Sequence, residues 1–372
     1  MSGPLDGCKV IELAGLGPAP FAAMTLADMG AEVVRVERPS GSGFFPGLEH
    51  LDILNRGKKS VALDLKSEGD VETVLAMVEQ ADILIEGYRP GVAERLGLGP
   101  EVCIARNPRL VYGRMTGWGQ EGPLSHSAGH DIGYIALTGA LHAIGEVDGP
   151  PRIPLNLVGD FGGGANYLTM GVLAALRHSD RTGEGQVVDA AIVDGASHLL
   201  ASTHMMMAAN AWRDERGTNM LDGGFPFYAV YETSDGKHIA VGALEPQFYA
   251  ELMRILELDL DPLEQHDRSA WPATRRLLAE VFATRTRDEW AAVFEGTDAC
   301  VAPVLSLREA ADHPHMVERH TLIEHNGVLQ AAPAPRFSAT RTRLGTPPPT
   351  PGQDTDEVLR AWALERGDEL VR

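Results

Sequence analysis

Residues 9–39 read KVIELAGLGPAPFAAMTLADMGAEVVRVERP. The run KVIELAGL is short, apolar and β-branched, which predicts a strand. PAPFAAMTLADMG opens on proline, a residue favoured in the first turn of a helix, and AEVVRVERP predicts a second strand stopped by Pro39. The same alternation continues through SVALDLKS, the helical EGDVETVLAMVEQ, the strand ADILIEGYRP, the helix GVAERLG and the strand LVYGRMTGWG. Strands that alternate with helices predict an α/β fold around a parallel, doubly wound sheet, with ligands at the carboxyl ends of its strands.

The chain has 372 residues, enough for two domains, with 44% hydrophobic and 23% charged residues, as in an ordinary globular protein. Its formal net charge of −20 argues against nucleic acid or an anionic membrane as partner, since both are bound by clustered Lys and Arg. Cys8, Cys103 and Cys300 are odd in number and form no CxxC pair, so neither a disulfide framework nor a structural zinc site is expected, and a reducing, cytoplasmic setting fits best. The N-terminus lacks a signal-peptide pattern, and no apolar run approaches the ~18 residues of a membrane span.

Further along, VDAAIVDGASHLLASTHMMMAAN, from Val188 to about Asn210, is a candidate long apolar helix, followed by a polar, Gly-rich stretch to Gly224. A second unit then begins: FYAVYETSDGKHIAVGAL predicts a hairpin turning at Ser234-Asp235-Gly236, EPQFYAELMRIL, WPATRRLLAEVFATR and RDEWAAVFEG predict helices, and ACVAPVLS a closing strand. TLIEHNGVLQ predicts another hairpin and DTDEVLRAWAL a terminal helix.

The nucleotide fingerprints fail on inspection. GLGPAP lacks the third glycine of GxGxxG, and NLVGDFGGG, residues 156–164, matches neither that pattern nor GxxxxGK[ST]. A glycine-rich turn ahead of the helix ANYLTMGVLAALRH resembles a phosphate cradle, yet it carries the carboxylate of Asp160; the plainer reading is a tight turn with close backbone approach. Only five of the 32 basic residues are Lys. Arg38 follows the second strand, Arg56, Lys58 and Lys59 precede the third, Lys66 follows it, and Arg89 and Arg95 follow the fourth. Taken as one sheet edge, they form a candidate anion site for a phosphorylated adenosine. His130 in AGHDIGY is by default a structural hydrogen-bonder; His313, His315 and His320 lack the spacing of a metal site; Met205, Met206 and Met207 are by default core.

Taken together, KVIELAGLGPAPFAAMTLADMGAEVVRVERP, NRGKKSVALDLKS, EGYRPGVAERLG, MTGWGQEGP, AGHDIGYIALTGALHAIG, PLNLVGDFGGG and GEGQVVDAAIVDG resemble the family III CoA-transferases, and among them the branch that racemises 2-methylacyl-CoA thioesters. The resemblance runs from residue 3 to about 340. It implies a large Rossmann-like CoA-binding domain over 1–187 completed by 330–372, a linker helix over 188–224, a smaller α+β domain over 225–320, a return linker over 321–329, and an interlocked homodimer whose active sites are shared between subunits. It also implies an isomerase of fatty acid metabolism that needs no metal or separate cofactor, CoA being part of the substrate.

Residue by residue, His130 and Asp160 match the family's acid/base pair, Glu245 in GALEPQF matches a carboxylate that orients the His, and Tyr134 would support Asp160. The backbone N–H of Asp131 is a candidate donor to an enolate oxygen. Arg38, Arg56, the strand end Leu63, Asp64, Leu65 and Lys66, then Gly87, Tyr88, Arg89, Arg95 and Gly129, form the expected CoA-binding set. Met205 to Met207 and Met220 are candidates for a surface under the acyl chain. One departure is Gly133, where racemases of the family tend to carry Asn. The rival within the family is a CoA-transferase in which Asp160 attacks the thioester as a nucleophile.

Overall fold

The computed structural model describes residues 3–43, 47–261 and 265–362. In chain order the first elements are β1 (Lys9–Leu13), α1 (Pro18–Asp28), β2 (Glu32–Glu37), β3 (Lys58–Ala62), α2 (Glu68–Val78), β4 (Ile83–Glu86), α3 (Val92–Arg95), α4 (Pro100–Arg106), β5 (Val111–Thr116), α5 (Asp131–Leu137) and α6 (Ala140–Ala143). A π-helical segment, Leu157–Ala165, runs without a break into α7 (Asn166–Thr182), followed by β6 (Gln186–Ala191), α8 (Ile192–Leu199) and α9 (Ala201–Ala208). Then come β7 (Tyr228–Glu232), β8 (His238–Gly242), α10 (Pro246–Ile255), α11 (Trp271–Phe282), α12 (Arg287–Phe294), β9 (Val301–Pro303), α13 (Leu307–Asp312), α14 (Pro314–Glu318), β10 (Leu322–His325), β11 (Val328–Ala331) and α15 (Thr355–Ala361).

The chain divides into two compact units, Met1–Thr138 with Leu155–Leu200 and Val317–Arg372, and Gly139–Pro154 with Ala201–Met316. The first holds a six-stranded sheet in the order β3-β2-β1-β4-β5-β6, parallel throughout. Successive residues of each strand face opposite layers. Val10, Val33, Ile83 and Val111 pack with Ala22 and Leu26 of α1 and Leu168 and Val172 of α7. Their neighbours Ile11, Val34, Leu84 and Tyr112 pack with Val74 and Val78 of α2, Cys103 of α4 and Val358 of α15. The β10–β11 hairpin belongs to the same unit.

The second unit is built on the antiparallel sheet β7-β8-β9, with Phe227, Tyr231, Ile239 and Val241 packed against Leu252, Leu278, Phe282 and Trp290 of α10, α11 and α12. Its hairpin and helices form where the sequence predicts them.

Three expectations change. The predicted helix from Val188 begins instead as a strand: Val188–Ala191 pair with Gly113–Thr116 of β5, and helix starts only at Ile192. The unit boundaries move accordingly, because β6 completes the sheet and α8 packs on Leu157–Ala165, which carries residues to 200 into the first unit. Glycines 162–164 do not form a turn. They lie in the π-helical segment, where the amide of Phe161 donates to the carbonyl of Asn156 and that of Asn166 to the carbonyl of Phe161.

The three glycines serve a helix crossing. A Cβ on Gly163 would sit 2.5 Å from the backbone nitrogen of Ala196, and one on Gly195 would sit 1.8 Å from the carbonyl oxygen of Gly163. Gly195→Ala is therefore expected to overpack this crossing, costing about 1–3 kcal/mol of stability. A lower melting temperature checks it; an unchanged one rejects the crossing as a constraint.

Candidate active site

β1 and β4 are the strands at which the order of the sheet reverses, where doubly wound folds open a crevice at the carboxyl edge. A cavity of about 330 Å³ lies there. It is lined by Leu16–Ala19 after β1, Gly87–Pro90 after β4, Met115–Trp118 at the end of β5, then Gly129, His130, Asp131, Tyr134, Asp160 and Ile192. His130, Asp160, Tyr134, Asp131, Gly87, Tyr88, Arg89 and Gly129 of the predicted set thus share one cavity.

His130 is the exposed residue that caps α5 in an extended conformation. Asp131, the first residue of that helix, is buried, and its Oδ1 accepts the backbone N–H of Asp160 at 2.7 Å. Asp160 is half-buried on the π-helical segment. A Cβ placed on Gly17, at the start of α1, would lie 3.6 Å from its Oδ2, so the carboxylate stands over the N-terminal end of that helix. Burial pushes the Asp160 carboxyl above the ordinary carboxylate range and the charge of Asp131 pushes it further, while a hydrogen bond from Asn156 and the charge of His130 oppose the rise.

Tyr134 packs edge-on against Trp118 with ring centroids 4.7 Å apart. Its hydroxyl is raised by burial and then by the charge of Asp160, with Arg89 opposing. The two side chains interact through charge, and no hydrogen bond between them is found among the described residues. Gly117 and Gly129 leave room for this ring: a Cβ on either would come within 2.0 Å and 2.5 Å of it. Gly133 has no such duty, since no heavy atom lies within 4 Å of the position its Cβ would take.

The loop after β4 is anchored from below. Glu86 is fully buried; its Oε2 accepts the N–H of Tyr88 at 2.7 Å and its Oε1 the Nε of Arg114 at 2.9 Å. Arg38, Lys66 and Arg95 are exposed beyond β2, beyond β3 and on α3, at the same carboxyl edge but outside the lining of this cavity. Asp64 is exposed beside Lys66, Leu65 is half-buried, and the Leu63 side chain belongs to the core.

Arg56, with Lys58 and Lys59, requires correction. In a parallel sheet, residues that precede a strand lie at the opposite edge from those that follow it. The Arg56 guanidinium is buried, holding both oxygens of Asp28 at 3.1 and 2.5 Å and Gln330 at 2.8 Å, which ties the β10–β11 hairpin to α1. Lys58 is buried on Glu12 at 2.6 Å, with burial lowering its ammonium to about 8, and Lys59 pairs with Glu32 and Glu357. These cations are structural.

In the second unit, Glu245 is exposed at the start of α10. Met205 and Met207 are exposed on α9, which has no buried residue, so their default reading as core does not hold; Met220 is half-buried against the apolar core. Among the described residues no group of three or more His, Cys, Asp and Glu could hold a metal ion, and no helix is long and apolar enough to cross a membrane. Asn156 was missed in the sequence. Its signal was the i, i+4 spacing to Asp160, which has meaning only if the segment is helical.

The chain belongs to the CoA-transferase family III, whose model matches residues 5–355. It is 44% identical to the alpha-methylacyl-CoA racemase of Mus musculus over 98% of this chain and 95% of that protein, and 43% identical to that of Homo sapiens over 97% and 94%. The crystal structure of a CAIB/BAIF family protein from Brucella suis superposes with a TM-score of 0.83 at 26% identity, covering 97% of this chain and all of that one.

Glu86→Ala would remove the buried partner of the Arg114 guanidinium, leaving it the exposed Glu94 at 2.9 Å. The expected loss is about 3 kcal/mol or more, measured by urea denaturation, with faster amide exchange at Tyr88. Unchanged protection of that amide would show that Glu86 does not hold the loop.

Proposed function

We propose that this chain interconverts (2R)- and (2S)-2-methylacyl-CoA thioesters by 1,1-proton transfer through an enolate. The observation that carries the reading is the pairing of His130 and Asp160 on one cavity, with Asp160 held above the ordinary carboxylate range. The near-full-length likeness to two proteins named alpha-methylacyl-CoA racemase supports it.

Inverting an α-carbon requires one group to remove the proton from one face and another to deliver a proton to the opposite face. In one direction His130 is the base and Asp160 the acid; in the other they exchange roles. The N–H of Asp131 donates to the enolate oxygen, as preorganised donors do wherever negative charge develops. Arg38, Lys66, Arg89 and Arg95 hold the phosphates and adenosine of CoA. Glu245, from a second copy of the chain, orients His130 and favours its cation; the working form is then an interlocked homodimer, with CoA entering as part of the substrate and no further cofactor. Its setting in the cell is the cytoplasm.

The test is incubation with 2-methylacyl-CoA in heavy water without a free-acid acceptor. Deuterium is expected at the α-carbon, with His130→Ala and Asp160→Ala each lowering the rate about 10²–10⁴-fold. Absence of α-deuteration, with CoA passing instead to an added carboxylic acid, would establish the transferase reading with Asp160 as nucleophile, which the family's name favours. Arg89→Ala should raise KM with little change in kcat, because phosphate contacts bind substrate and transition state alike. A fall in kcat at constant KM would place Arg89 in the chemistry instead.

A further inference from the structure

The side chain of Asp131 has a position that its proposed backbone role does not explain. It is 9% exposed, its Oδ1 accepts the N–H of Asp160 at 2.7 Å, and its Oδ2 is buried with no hydrogen-bond partner among the described residues. Gly159 makes the contact possible: a Cβ there would stand 2.2 Å from Asp131 Oδ1 and 3.0 Å from Ile135 Cγ2, so α5 meets the π-helical segment at van der Waals limits. A buried carboxylate with one free oxygen is costly to keep. A neutral acceptor such as Asn would serve the amide alone.

We propose that the Asp131 carboxylate is a positioning residue for the Asp160 arm of the site, anchoring its main chain and setting by its charge the pH at which Asp160 takes up and yields a proton. This rests on the proton-transfer reading above. The groups facing Asp160 are Asp131, His130 and Tyr134 from α5 and its cap, Arg89 from the loop after β4, Asn156 on its own segment and the N-terminal end of α1. Only Asp131 adds negative charge among them, and it acts in the same direction as burial. Removing that charge makes Asp160 a stronger acid. Whether Asp160 starts as base or as acid, the limb of the rate profile that it governs then moves to lower pH.

The experiment is the α-deuteration rate against pH for the full chain, its Asp131→Asn variant and its Asp131→Ala variant, with melting curves to confirm folding. Asp131→Asn keeps an acceptor oxygen and is expected to move the Asp160 limb down, with no more than about a tenfold fall in the plateau. Asp131→Ala removes the anchor as well and is expected to lose a further ten- to hundredfold. Folded variants whose rates fall while the limb stays at its wild-type pH would overturn the proposal and leave Asp131 a packing residue. Should Asp131→Asn not fold, Asp131→Ala, which also lacks the charge, is read in the same way: a limb moved to lower pH supports the proposal and an unmoved limb overturns it. Wild-type protein without any α-deuteration overturns the proton-transfer reading and this proposal together; wild-type exchange with an unmoved limb in the variants overturns this proposal alone.

Discussion

The crossing of α8 over the π-helical segment is the constraint on which the site depends. Two backbones meet at Gly163 and Gly195 with no space for a single methyl group between them. Because α8 follows directly from β6, the edge strand of the sheet fixes where that crossing falls. The segment then delivers Asn156 and Asp160, four residues apart, to the carboxyl edge of β1, with Phe161 stacked on Phe21 of α1 at 4.5 Å. Hydrogen bonding from i to i+5 adds one residue to each hydrogen-bonded ring of a helix and is frequent at functional sites. Here the main chain of Asp160 meets Asp131 at the start of α5, and its carboxylate stands beside Gly17 at the start of α1.

Charge is buried elsewhere for a different end. Glu12 on β1, Arg35 and Glu37 on β2 and Lys58 on β3 form a closed set: Glu12 takes Arg35 at 2.5 Å and Lys58 at 2.6 Å, and Ser42 and Ser60 occupy Glu37. Such a set contributes little net stability compared with apolar residues of the same size, yet a slip of one residue in strand pairing would leave each charge without its partner. It therefore resists misregister across three neighbouring strands. It also consumes Lys58, a cation that the sequence alone offers to a ligand.

The strands and helices of the first unit were legible because their hydrophobic periods are local. So was the edge that carries the cavity, which follows from sheet topology. The direction of each cation was not. Arg38 and Arg56 look alike in a linear reading, but one follows its strand and the other precedes one, and in a parallel sheet that difference is the whole width of the sheet. The segment from Val188 misled for a related reason: VVDAAIV is apolar enough for either helix or strand, and only the ladder to β5 decides, through partners some seventy residues earlier. NLVGDFGGG reads as a turn because three glycines ordinarily break helices; the close approach of α8 that keeps them helical lies outside the motif. Asp160 was legible as a singular acid, but Asn156 was legible only as a spacing, and Asp131 only through its backbone N–H, not through the side chain that holds the Asp160 amide.

The proposed proton transfer, which runs equally well in both directions, sets a demand on its two acid/base groups. After each turnover the proton has moved from one group to the other, so a large difference in proton affinity would trap the enzyme in one form. An ordinary imidazole and an ordinary carboxylate differ by about 2.6 pK units, which is about 3.5 kcal/mol. Burial of Asp160 and the charge of Asp131 both act to narrow that gap from the carboxylate side, and the bond from Asn156 opposes them without reversing the rise. Desolvation thus falls on the carboxylate, the group whose proton affinity such an exchange needs raised. A nucleophilic carboxylate would be served by the opposite arrangement, because raising its proton affinity in a site of ordinary pH removes the anion that must attack. The environment of Asp160 is thus better matched to passing a proton than to forming an anhydride.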